Sequence, residues 1–144
     1  MDFECSIIAM IHNADFYGAY TCLKHLSDAE RRDIILEEAS LTDDISILGF
    51  VEFLISQNNS YFNHMLAAEA YIQMCFIEGA YNLAMFHAEE MHRLNPDIES
   101  KKFLLFFYGI PERLLPLEKA RQIAQEILES EPDYDPALEI IRYH

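Results

Sequence analysis

Glycine and proline are scarce in this chain of 144 residues, four and five respectively. A turn-rich β-sandwich and a disordered linker protein both need more of them. Basic residues are scarce too: ten Lys and Arg stand against 25 Asp and Glu, a formal net charge of −15. Such a chain repels phosphate, which argues against direct binding to nucleic acid or to an anionic membrane. No apolar run approaches the ~18–20 residues of a membrane span. The start, Met1-Asp2-Phe3-Glu4-Cys5, is acidic where a secretory signal wants a basic residue, so a soluble, cytoplasmic protein is expected. The three cysteines, Cys5, Cys22 and Cys75, are odd in number, lack CxxC spacing and have apolar neighbours. Reduced thiols buried in the core are the expectation.

What the chain does have is apolar content, 51% of residues, enough for one globular domain. Helical periodicity recurs almost end to end and no segment alternates as a strand would, so the fold class is all-α, with about nine helices. The first two helices are expected over about Glu4 to His12 and Ala14 to Leu26. Ser27 and Glu30 have capping-box spacing and open a third, reaching about Ala39. Thr42 is placed to cap a fourth, apolar on most sides and therefore central. Ser60 is placed to cap a fifth that reaches about Phe76. Gly79 precedes a sixth that stops at Asn95-Pro96, and Asp97 caps a seventh to Tyr108. Pro116 suits the first turn of an eighth, ended by Glu131-Pro132, and Asp135-Pro136 starts a short ninth.

Two of these stretches repeat. Ala84 aligns with Ala120, Ala88 with Ala124, Met91 with Ile127 and Pro96 with Pro132, each pair 36 residues apart. Small residues four apart let helices approach closely, and the proline ends the second helix of a hairpin. Residues 61–144 thus resemble the tetratricopeptide repeat, a helical hairpin of about 34 residues. Gly79, Tyr81, Ala84, Ala88 and Pro96 carry that likeness in the second helix. Ile72 and Tyr108 depart from it, standing where the family prefers small residues. The resemblance implies stacked hairpins, a TPR-like α-solenoid or an irregular bundle, and protein or peptide binding without catalysis. Residues 1–60 form the N-terminal helices of the same domain and show no repeat register.

Motifs for chemistry are missing. His87 and His92 are five apart, pointing about 140° from each other on a helix, unlike the i,i+4 pair of a zinc-protease helix. They read as surface or partly buried histidines, and His12, His25, His64 and His144 are scattered. There is no GxSxG elbow and no phosphate-cradling loop. No catalytic residue, metal site or cofactor is expected, and the chain does not read as an enzyme.

The charge map is more informative. Between Arg32 and Arg93 no Lys or Arg occurs in sixty residues, while ten acids do. Helices there forgo i,i+4 acid–base pairs worth a few tenths of a kcal/mol each. A negative surface kept in this way speeds association with a basic partner. The expected partner-binding acids are Asp43, Asp44, Glu52, Glu69, Glu78, Glu89 and Glu90. Tyr61, Tyr71 and Tyr81 lie among them as aromatic anchors. The expectation is an acidic inhibitor that binds a basic protein directly. In character it is similar to the immunity protein of a bacterial toxin system, with a toxin nuclease domain as the partner. The alternative is a helical-repeat adaptor or chaperone that binds a peptide or regulatory partner.

Overall fold

A computed structural model describes residues 2–143, and these are 75% helical with no strand. Among the described residues nine helices follow one another: α1 (Phe3–His12), α2 (Phe16–Leu23), α3 (Asp28–Leu41), α4 (Ser46–Gln57), α5 (Tyr61–Gln73), α6 (Ala80–Leu94), α7 (Ile98–Gly109), α8 (Leu117–Ser130) and α9 (Asp135–Tyr143). They form two compact units, residues 1–87 and 88–144, so the division falls inside α6. The joint near residue 60, by contrast, lies within the first unit.

The caps explain most boundaries. Ser27 and Glu30 form the complete capping box at the start of α3. Ser60 accepts from the Asn63 amide, and Asp97 from the Ser100 amide, opening α5 and α7. Thr42 does not cap α4. Its hydroxyl accepts from the Asp44 amide, and the Asp44 carboxylate accepts from the Ser46 amide at 2.9 Å, so α4 starts later, at Ser46. Helix α2 is shorter than its periodicity suggests because Ala14 holds φ of 60° and Asp15 caps Phe16–Leu23. The Asp15 amide donates to the Met10 carbonyl and the Ala14 amide to Ile11, a Schellman closure of α1. Helix α5 ends at Gln73 rather than Phe76, and Phe76 lies exposed in the following turn. Gly79 takes φ of 87°, which its lack of a side chain makes inexpensive, and leads into α6.

In the first unit α4 is central, packing against α1, α2, α3 and α5. It buries Ile47, Leu48, Phe50, Val51 and Leu54. Phe50 is fully enclosed, worth about 1.5–3 kcal/mol by transfer, and its ring stacks on Phe53 at 6.4 Å. In the second unit α8 packs against α7 and α9. Ala120, Ile123, Ala124 and Ile127 line its buried face, the i, i+3, i+4, i+7 stripe of an amphipathic helix. Both members of each aligned alanine pair, Ala84 with Ala120 and Ala88 with Ala124, are completely buried.

The cysteines correct one expectation. Cys5 and Cys75 are exposed and Cys22 is partly so, because each falls on the outer side of its helix or turn while neighbours take the core. Apolar flanks in sequence do not distinguish the two sides of a helix.

Candidate functional site

The first unit contains a chain of hydrogen-bonded polar groups with two buried histidines at its centre. Helix α5 turns His64, Ala67, Ala68 and Tyr71 inward, four positions that make one helical stripe. Helix α6 presents His87 beside Ala84 and Ala88 on the same kind of stripe. His64 and His87, 4% and 2% exposed, meet through their Nδ1 atoms at 3.0 Å. His87 Nε2 reaches the Glu52 carboxylate of α4 at 2.5 Å, and the Tyr71 hydroxyl donates to the same carboxylate oxygen, Oε1, at 3.0 Å. His64 Nε2 meets the Asn59 side-chain oxygen at 2.5 Å.

The His87 hydrogen bond holds the Glu52 carboxyl below its usual range despite partial burial. Tyr71 is pushed well above the ordinary phenol value, first by burial and then by the Glu52 charge.

A cavity of about 540 Å³ opens beside this chain within the first unit. Phe16, Ile45, Leu48, Ile77 and Leu83 supply its apolar wall. Asp44, Ser46, Glu52, Tyr71 and Glu78 supply its polar groups, and among the described residues no Lys, Arg or His lines it. Ile45 and Leu83 are exposed, so the mouth is apolar as well.

At another edge, His12 of α1 lies between Glu38 of α3, 2.6 Å from Nε2, and Asp44, 2.7 Å from Nδ1, with the Ser46 hydroxyl at 3.1 Å. The Glu38 hydrogen bond raises the His12 pKa against the opposing effect of burial, and Asp44 adds to the rise. Asp44 is held low chiefly by its bonds from Ser46. Among the described residues no group of three or more His, Cys, Asp or Glu side chains is arranged to hold a metal ion.

The expected partner-binding residues fall into different environments. Asp43, Glu78 and Glu89 are exposed and make no salt bridge with a described residue. Glu69 is tied to Arg32 of α3, Glu90 to Arg93, Asp44 to His12 and Glu52 to His87. Tyr71 is only 6% exposed and is a core residue; Tyr61 and Tyr81, at the starts of α5 and α6, are partly exposed. Asp44, Glu52, Tyr71 and Glu78 come together at the cavity. Glu89 and Glu90 belong to the second unit.

The buried histidines correct the reading of His64 as scattered and His87 as a surface or partly buried side chain. The signal was there in the spacing: His64 precedes Ala67, Ala68 and Tyr71, and His87 lies between Ala84 and Ala88, inside inward-facing stripes. His92 is in the second unit, bonded to the buried Ser100 hydroxyl at 2.9 Å. His144 lies outside the described residues.

Comparison with protein-family models, with curated proteins and with solved structures finds no match to this chain. No helix among the described residues is long and apolar enough to cross a membrane.

Proposed function

We propose that this chain is an acidic protein-binding inhibitor that neutralises a basic partner by direct contact, as an immunity protein neutralises a toxin nuclease domain. The supporting observation is the charge of the first unit. It holds three basic side chains, Lys24, Arg31 and Arg32, against thirteen carboxylates. Two of those three are engaged internally, Arg31 with Asp28 and Arg32 with Glu69. Glu37, Asp43 and Glu78 remain exposed without a salt bridge to a described residue. A nuclease is basic because it grips phosphate, so such a surface attracts it and suppresses wrong, acidic partners. The work is binding rather than catalysis, and it fits a cytoplasmic setting in which the inhibitor meets its target.

The second reading, a helical-repeat adaptor, is supported by the matched burial of Ala84 with Ala120 and Ala88 with Ala124. Affinity capture with the tagged chain, washed at low and then moderate salt, separates the two. One stoichiometric basic protein, toxic when produced alone, is the result expected for an inhibitor. Several weakly held proteins, lost together on washing, would favour the adaptor.

A further inference from the structure

We propose that the cavity of the first unit is a binding site for a small organic cation, an ammonium group carried on an apolar body. This reading goes beyond the protein-binding function and does not depend on it. The size is the first argument. At about 540 Å³ the cavity falls within the range of small-molecule pockets, and one Lys or Arg side chain of a partner would leave much of it unfilled.

The lining gives the chemistry. Phe16, Leu48, Ile77 and Leu83 offer a surface from which an apolar body displaces water favourably. The lining carries three carboxylates, Asp44, Glu52 and Glu78, and no described basic side chain. His12 pairs with Asp44 and His87 with one oxygen of Glu52, which leaves the other oxygen of Glu52 and the whole of Glu78 without a cation. The negative charge left there disfavours an anion, and a neutral apolar ligand has no donor for it. An ammonium group supplies the missing donors.

Glu52 shows where that group can bind. Both protein bonds to its carboxylate, from Tyr71 and from His87, end on Oε1. Oε2 accepts from no described residue, and the side chain is 45% exposed at the cavity. Glu78 adds a carboxylate that makes no salt bridge with a described residue. Charge-assisted N–H to carboxylate bonds are about twice as strong as neutral ones, and stronger still beside an apolar wall.

The test is a titration of the full chain followed by amide NMR near neutral pH. The probes are phenylbutylamine, phenylbutanol, phenylbutyrate and methylammonium. Phenylbutylamine should saturate, with shifts centred on the amides of Ala14, Ser46, Gly49, Glu52 and Ala80, and bind at least tenfold more tightly than the alcohol. Phenylbutyrate should not bind, and methylammonium should bind far more weakly. Ile45→Lys places a cation at the exposed mouth and Glu78→Gln removes an exposed charge; each should weaken the amine while leaving the native spectrum in place. Equal binding of amine and alcohol would overturn the proposal, as would shifts spread over surface carboxylates that methylammonium reproduces. So would wild-type amine affinity in both variants.

Discussion

His64 and His87, twenty-three residues apart on α5 and α6, face each other through Nδ1 at 3.0 Å inside the first unit. Each ring is anchored at its far nitrogen, one by Asn59 and the other by Glu52. A pair enclosed in this way links α5, α6 and α4 through hydrogen bonds that water cannot easily replace. Replacing His87 by Leu should cost about 2–4 kcal/mol, since Glu52 and His64 each lose a hydrogen-bond partner and Tyr71 the ring stacked on it. In a double-mutant cycle with His64→Leu, urea denaturation should give a coupling of about 1–2 kcal/mol. Additive losses would show that the two rings do not act together.

Protonation of Glu52 gives the acid side of the stability profile. Its carboxyl is held below the usual 4.5, so its contribution is complete above that value and lost as pH falls through the folded-state value. Urea midpoints should drop on acidification through this window, and Glu52→Gln should flatten that part of the curve.

His12 acts in the opposite direction. Its pKa lies above the usual 6.5 because Glu38 and Asp44 favour the charged ring. The stabilisation is therefore full below 6.5 and disappears as pH rises through the higher folded-state value. His12→Gln should be less stable than wild type at mildly acidic pH, and the difference should shrink as the medium becomes alkaline. The difference between the two urea-midpoint curves isolates this residue from the other titrating groups.

Ala14 occupies a left-handed conformation that suits glycine, φ 60°, at the residue closing α1. Ala14→Gly removes the Cβ strain at the cost of a more flexible unfolded chain. A net gain of up to about 1 kcal/mol is expected in urea denaturation. Ala14→Val should destabilise, because a β-branched side chain tolerates that conformation worst.

Thiol labelling checks the cysteine environments. Native protein should react with a thiol reagent at Cys5 and Cys75, with Cys22 slower. The Asp2 carboxylate, bonded at the start of α1, raises the Cys5 thiol pKa. Asp2→Asn keeps a good cap and removes the charge, so labelling of Cys5 at mildly alkaline pH should accelerate.

The helices were readable because they depend on local signals: the Ser27 and Glu30 capping box, Ser60, Asp97 and the alanine stripes all lie within a turn or two of what they determine. Elsewhere a longer-range contact decides the outcome. Thr42 and Asp44 are both acceptable caps in sequence, and the structure assigns Ser46 to Asp44, which also pairs with His12 from α1. The candidate site was legible only in part. Charge and aromaticity mark Glu52, Tyr71, Asp44 and Glu78 in the sequence, yet the cavity that unites them forms only when α4 and the turn before α6 are placed. The His64–His87 pair is not legible as a motif, because twenty-three residues separate its members; its trace is a polar residue at an apolar position of each helix.

The most direct test of the inhibitor account is the association rate between this chain and the basic protein it captures, measured against ionic strength. Asp43, Glu78 and Glu89 are the residues to reverse, because they are exposed and make no salt bridge with a described residue, whereas reversing Asp44 would also disrupt His12. Attraction by the acidic surface requires a rate that falls steeply as salt rises. The triple change to lysine should slow association by about tenfold or more at low salt and flatten the salt dependence. An association rate indifferent both to salt and to charge reversal would contradict the account.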